Sequence, residues 1–370
     1  MIGMSAVIFI PDDTAKTGYP QPLMLQSVMG APLLAWLANA LFDSGVGRFF
    51  LVCHDRYVEA ARACLPAEAE VMTTMDSDPA DLLHVFLSTA EDAEHTITVV
   101  TGPAVYLPQL APQAAGRFPR VYGVSREELM QALDEHFSFA RFLLDNGSPM
   151  NEEQAMYSVA SPAELPEIAG LLQRNRLLAL ARTGVEIYDA SSCYVEPSVR
   201  VAPGARLLPG TMLRGKTVIG ARAVVNASQV RESRVGQDAV VGPYASVRGG
   251  CELGRSVRAG SFVELKNARL GENTQVPHLA YLGDTEAGAN CNFGCGVATA
   301  NFDRVQKHET VVGEGAFIGC NTALIAPLQV GSGAYIGAGS TITEDVPAQA
   351  LGIARARQSN KKEWAAKHKK

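Results

Sequence analysis

Aliphatic residues return every six positions through the second half of the chain, a period of neither an α-helix nor an alternating strand. Val195, Val201, Leu207, Leu213, Ile219 and Val225 keep it first. It restarts at Val235 and runs through Val241, Val247, Leu253, Ala259 and Leu265, then slips by one residue to Leu270, Val276 and Leu282. After Thr299 and an interruption it resumes as Val312, Ile318, Leu324, Val330, Ile336 and Ile342. This period predicts a parallel β-helix, in which each short rung buries one aliphatic side chain, turns a corner, and three rungs complete a coil. The residue after the aliphatic is often small, as in V-G-P-Y-A-S and I-G-A-G-S-T. Tight corners favour Gly, Asn and Asp, which tolerate unusual backbone angles. A Gly-rich β-sandwich would instead show two-residue alternation at irregular spacing.

The first half follows different rules. Apolar runs at Ala6 to Ile10, Arg48 to Cys53 and Thr96 to Thr101 read as strands, with a helix from about Ala31 to Asp43 between the first two. Strands alternating with helices predict a parallel sheet, and in such a sheet a nucleotide binds at the loop after the first strand. Here that loop, from Pro11 to Gln21, has one glycine and no set of glycines to cradle phosphate. Capping boxes at Ser125-Arg126-Glu127-Glu128 and Ser161-Pro162-Ala163-Glu164 open helical runs to about Asn146 and Arg182, with Gly184 as the stop. The domains expected are 1–155, a helical linker over 156–184, the β-helix over 185–352 and a basic tail over 353–370.

Composition narrows the partners. A net charge of -6 offers no basic body to nucleic acid. No apolar run is long enough for a membrane span, and Pro11, Asp12 and Asp13 cut the first one short of a signal-peptide core, so a cytoplasmic protein is expected. The seven cysteines are odd in number and lack the spacing of a secreted framework, which predicts reduced thiols. Cys291 and Cys295 have no His or Cys pair nearby to complete a zinc set and read as packing residues.

Between Val247 and Pro327 the motifs become specific. V-E-L-K at 263–266, H-L-A-Y-L-G-D at 278–284, N-F-G at 292–294, A-N-F-D at 300–303 and I-A-P at 325–327 occur in order. Over roughly Val185 to Trp364 the chain resembles the acetyltransferase half of the bifunctional glucosamine-1-phosphate N-acetyltransferase / N-acetylglucosamine-1-phosphate uridyltransferase family. That resemblance implies a left-handed parallel β-helix assembled as a homotrimer, acetyl-CoA as co-substrate, an amino-sugar phosphate as acceptor, and no metal for acetyl transfer.

The chemistry asks for similar residues. An amine attacking a thioester must shed a proton, and histidine suits a base working near neutrality. Only His278 and His308 lie in the β-helix region. The resemblance puts the base at His278, the phosphate ligands at Arg248 and Lys266, and the sugar ligands at Tyr281 and Asn292. It puts Asn301 near the acetyl group, Ala338 and Arg355 along coenzyme A, and Lys307 on a loop reaching an adjacent subunit's site. Phe302 and Cys320 stand at coenzyme A positions where the family usually has Tyr and Ser, and Gly249 replaces a usual Pro. Cys320 is given no nucleophilic role, since direct attack by the amine requires none.

The first half resembles the uridyltransferase half much less. The Gly-rich signature with Arg is absent, Gln21 stands at the apparent position of its catalytic Lys, and Gly102-Pro103 replaces a metal-binding Gly-Asp. A shortened, inactive nucleotidyltransferase-like α/β domain is the expectation. The competing readings are a nucleotidyltransferase with a rebuilt signature and a non-catalytic sugar-nucleotide-binding scaffold. The β-helical carbonic anhydrases are set aside because they need three zinc-binding histidines.

Overall fold

Ser5–Phe9, the first apolar run, is an interior strand with Ala6, Val7 and Ile8 wholly buried. In the computed structural model, which describes residues 5–74, 79–90, 95–110, 119–134 and 139–368, the chain divides into two units, Met1–Ala179 and Leu180–Lys370.

The first unit is built on six strands in the order Glu70–Thr74, Arg48–Val52, Ser5–Phe9, Thr96–Val100, Val121–Ser125, Ser148–Met150. The first four run parallel, and the last two pair antiparallel. Alternate side chains of a strand point to opposite faces. Ile8, Phe49 and Leu51 therefore meet Leu34, Leu37 and Leu41 of the Leu33–Asp43 helix, while Val7, Phe50 and Val52 meet Leu83, Phe86 and Leu87. Burial on both faces is why these strands read as continuous apolar runs.

Several local expectations change. The helix starts at Leu33, since Ala31–Pro32 pairs with Ser27–Val28 as a small hairpin. The run after Ser125 is two helices, Arg126–Asp134 and Phe139–Asn146, with 135–138 outside the described residues. Ser125 caps the first by accepting the Glu128 N–H at 3.4 Å. Ser161 makes no such cap, and a short 3-10 turn over Pro162–Glu164 precedes the helix Leu165–Arg182 instead. The segment 156–184 is not a free linker. Met156–Ser158 pairs with Ala104–Tyr106, and Ile168 and Leu172 pack among Leu23, Leu33, Val105 and Tyr157, because helically spaced apolar residues find a core there. Gly184, at φ +89°, follows the helix end.

The second unit is a parallel β-helix with three interior columns. One carries Leu207, Val225, Val241, Ala259, Val276, Phe293, Ile318 and Ile336. The next carries Val195, Leu213, Val230, Val247, Leu265, Leu282, Thr299, Leu324 and Ile342. The third carries Ile219, Val235, Leu253, Leu270, Ala287, Val312 and Val330. The stack of coils does not stop where the six-residue period lapses: Val230 and Ala287 fill those places on rungs one residue shorter. Its slip at Leu270 arises because Glu264–Leu270 and Tyr281–Ala287 each run unbroken around a corner and carry two interior columns per strand. The interruption after Thr299 is an insertion at the same corner, closed by an antiparallel bridge between Phe302 and Lys307.

Stacking of coils explains the small residue after the aliphatic. A Cβ at Gly254 would stand 2.9 Å from the amide nitrogen of Glu272 on the next coil, closer than carbon tolerates. The preference for Asp and Asn holds at one corner, where Asp238, Asn273 and Asn290 take φ between +57° and +60°, with Ser256 beside them at +54°. At another corner the same backbone is imposed on Tyr244, Phe262 and Leu279, and their side chains are 62%, 60% and 58% exposed.

Candidate active site

Residues just past an interior aliphatic point outward, and neighbours in register stack on consecutive coils about 4.8 Å apart. Arg248 follows Val247 and Lys266 follows Leu265, and the two are register partners, with Gly283 next in line. Lys307 arrives from the insertion and interacts with Lys266. This contact is the chief cause holding the Lys266 pKa below the ordinary lysine value, with desolvation and Arg248 adding to it and Asp284 opposing. Arg248 is ion-paired to Glu264, the register partner of Tyr281.

Gly283 gives this corner its shape. A Cβ there would collide with the Tyr281 hydroxyl and come within 2.8 Å of the Asn301 amide nitrogen, so only glycine lets both groups close over the strand. The Asn301 amide donates to Asp284, which also accepts from Asn267 at 2.7 Å. Beneath, Thr299 occupies an interior position that elsewhere is aliphatic. Its hydroxyl accepts the Gly283 N–H at 2.8 Å and lies 3.5 Å from the Thr285 hydroxyl. A buried hydroxyl is tolerated only when hydrogen-bonded, and this one fixes the backbone on which Tyr281 and Asn301 rest.

His278 ends the strand Gln275–His278 of the ten-stranded sheet, opposite Ser261. It is exposed, and among the described residues its ring has no hydrogen-bond partner. The corner at Leu279, held at φ +45°, separates it from Tyr281. Asn292 is the register partner of Gln275 in the same sheet. Cys320, Ala338 and Arg355 are exposed and lie past the ends of that sheet's strands, with Cys320 seated over Gly294. Phe302 is 61% exposed in the insertion.

The expected residues thus form two sets. Arg248, Lys266, Lys307, Tyr281 and Asn301 gather at one corner of the fifteen-stranded sheet, whereas Asn292, Cys320, Ala338 and Arg355 line the ten-stranded sheet; His278 stands at the corner after its own ten-stranded-sheet strand. Lys307 interacts with Lys266 within its own chain. Glu264, Asp284 and Thr299 were not singled out from sequence. The first two sat inside V-E-L-K and H-L-A-Y-L-G-D, and Thr299 was visible as a polar residue on an aliphatic beat.

In the first unit the loop after the opening strand is closed on itself. Asp12 is ion-paired to Arg56 and accepts the Thr14 hydroxyl at 2.7 Å, contacts that hold its carboxyl below the usual range, the Thr14 hydroxyl foremost. Gln21 is tied through its carbonyl to the Gln26 amide at 2.8 Å. Gly102 lies under the Arg120 side chain, whose Cδ would be 3.3 Å from an added Cβ.

Residues 309–344 match the family described as bacterial transferase hexapeptide (six repeats). The chain is 55% identical over 136 residues to the Bifunctional protein GlmU of Brevibacillus brevis, covering 37% of this chain and 30% of that protein. It is 51% identical over 138 residues to the Bifunctional protein GlmU of Clostridium kluyveri, again 37% of this chain and 30% of that one. The chain therefore matches under a third of the length of these curated relatives. A solved UDP-N-acetylglucosamine acyltransferase of Francisella novicida is 18% identical, with a TM-score of 0.36 over 45% of this chain and 66% of that one, too partial a superposition to carry an argument.

Proposed function

We propose that this protein transfers the acetyl group of acetyl-CoA to the amine of glucosamine 1-phosphate, supplying N-acetylglucosamine 1-phosphate for UDP-N-acetylglucosamine synthesis. The observation that carries the reading is the crowding of Arg248, Lys266 and Lys307 at one corner beside Tyr281 and Asn301. Like charges at close range repel, and an anion between them reverses the sign of that energy. A sugar phosphate seated there would meet the Tyr281 phenol as a hydroxyl partner, with Asn301 nearer the acetyl group. About 50% identity to proteins named GlmU supports the choice of acceptor.

In this reading the sugar amine attacks the acetyl carbonyl, the new N–C bond forms as the C–S bond breaks, and His278 takes the amine proton. An exposed imidazole without a partner among the described residues is open to a substrate proton. Coenzyme A would run past Asn301 and Phe302 and along Cys320, Ala338 and Arg355. Those last three line the other sheet from the cation corner, which supports a homotrimer whose sites join faces of two copies. A cytoplasmic location accords with the substrates; no helix among the described residues is long and apolar enough to cross a membrane.

The deciding experiment follows thiol release from acetyl-CoA against a panel of amino sugars and their phosphates. Glucosamine 1-phosphate should be the preferred acceptor, and equal rates with unphosphorylated glucosamine would refute the cation seat. Arg248→Ala and Lys266→Ala should act mainly by raising KM for the sugar phosphate, since they hold phosphate in ground and transition states alike. The first unit should not release pyrophosphate from UTP and N-acetylglucosamine 1-phosphate, with or without magnesium, because its loop carboxylate is engaged by Arg56 and Thr14. Robust turnover would revive the nucleotidyltransferase alternative.

A further inference from the structure

The insertion that interrupts the sequence period has its own internal scaffold. Asp303 is its hub: one carboxylate oxygen accepts the N–H groups of Val305 and Gln306, each at 2.8 Å. The other meets the His308 Nε2 at 2.7 Å. The Asp303 N–H donates to the Gln306 carbonyl at 3.2 Å, and the His308 N–H to the Asn301 carbonyl at 2.8 Å. The bridge between Phe302 and Lys307 closes the two arms. An exposed loop of this length ordinarily pays a large entropy to hold one shape. Here one carboxylate makes the backbone turn and ties it to the side chain adjoining Lys307.

That rigidity answers a question the cation corner raises. Two ammonium groups do not remain adjacent by preference, and a lysine on a free loop would swing away from Lys266. We propose that Asp303 and His308 are positioning residues, a clasp that holds Lys307 beside Lys266 and so completes a three-cation seat for the phosphate of the acceptor. Neither residue touches the phosphate. Their work is done before substrate arrives, by removing the freedom Lys307 would otherwise lose on binding. The depressed Asp303 pKa, caused first by the Gln306 N–H and then by His308, accords with a carboxylate that stays ionised in this role.

This inference deepens the function proposed above and rests on it for the identity of the anion. Asp303→Asn keeps an acceptor oxygen for the turn while removing the charge that faces His308. It should raise KM for glucosamine 1-phosphate roughly tenfold, as should His308→Ala, with kcat little changed and KM for unphosphorylated glucosamine unmoved. In a Lys307→Ala background, adding Asp303→Asn should cost nothing further, since the clasp would have no cation left to hold. Equal losses for both acceptors, or additive losses in the double variant, would overturn the clasp and leave only a structural loop.

Titration calorimetry with inorganic phosphate separates this from failure of the acetyltransferase reading. Wild type should bind phosphate more tightly than Asp303→Asn, whatever the outcome of the acetyl-CoA assay. Identical phosphate binding by the two proteins sinks the clasp, whereas absence of thiol release with every amino sugar sinks the reaction.

Discussion

His278→Ala should lower acetyl transfer by about 10²- to 10⁴-fold while acetyl-CoA binding and the thermal melting temperature stay unchanged. The ring is exposed and makes no hydrogen bond within the described chain, so removing it leaves no buried group unsatisfied and no cavity. The strained backbone at Leu279, φ +45°, lies after it and is untouched by the substitution. What is lost is the acceptor for the amine proton, and the amine must then expel thiolate without help. Turnover should rise with pH in the variant more steeply than in wild type, as free amine becomes available without the base. A folded variant with near-wild-type turnover would eliminate His278 as the base. A fall in melting temperature together with lost acetyl-CoA binding would reassign it to structure.

The largest effect on stability is expected from Phe293→Ala, at about 3–5 kcal/mol. Phe293 is wholly buried in an interior column whose other members are aliphatic, on the same coil that carries the insertion. Its neighbours are Val276 below and Ile318 above, and a β-helix is held by such nearest-neighbour contacts, so a void there weakens the coupling between the lower and upper coils. Asn292 and Gly294 flank it, and Gly294 supports Cys320, so coenzyme A affinity should fall with stability. Phe293→Leu should lose much less. Urea melting of both variants checks the pair, and a loss below about 1 kcal/mol for the alanine variant would show that the coils do not depend on this contact.

The sequence determined the β-helix because its rule is local. Each rung must bury one side chain in a narrow interior and turn a corner, so the six-residue period is written directly in the residues from Val195 to Ile342. The motifs that carried the family resemblance were legible for a similar reason, since His278, Tyr281, Lys266 and Asn301 sit at fixed offsets from interior positions. The same locality hid Val230 and Ala287, because shortened rungs shift the period without breaking the stack.

Only the tertiary structure decided how those residues group. Residues on consecutive coils become neighbours although the chain separates them by a whole turn, so the pairing of Arg248 with Glu264, the closure of Tyr281 and Asn301 over Gly283, and the meeting of Lys266 with Lys307 follow from register. The interior hydroxyl of Thr299 reads in sequence as a missed aliphatic, and acquires meaning only when the Gly283 N–H is found 2.8 Å away. In the first unit, the loop after the opening strand holds the position where a parallel sheet binds nucleotide, but its residues already lacked the glycines to cradle phosphate. Folding added the pairing of Arg56 with Asp12, a contact across two strand ends that no spacing rule along the chain records.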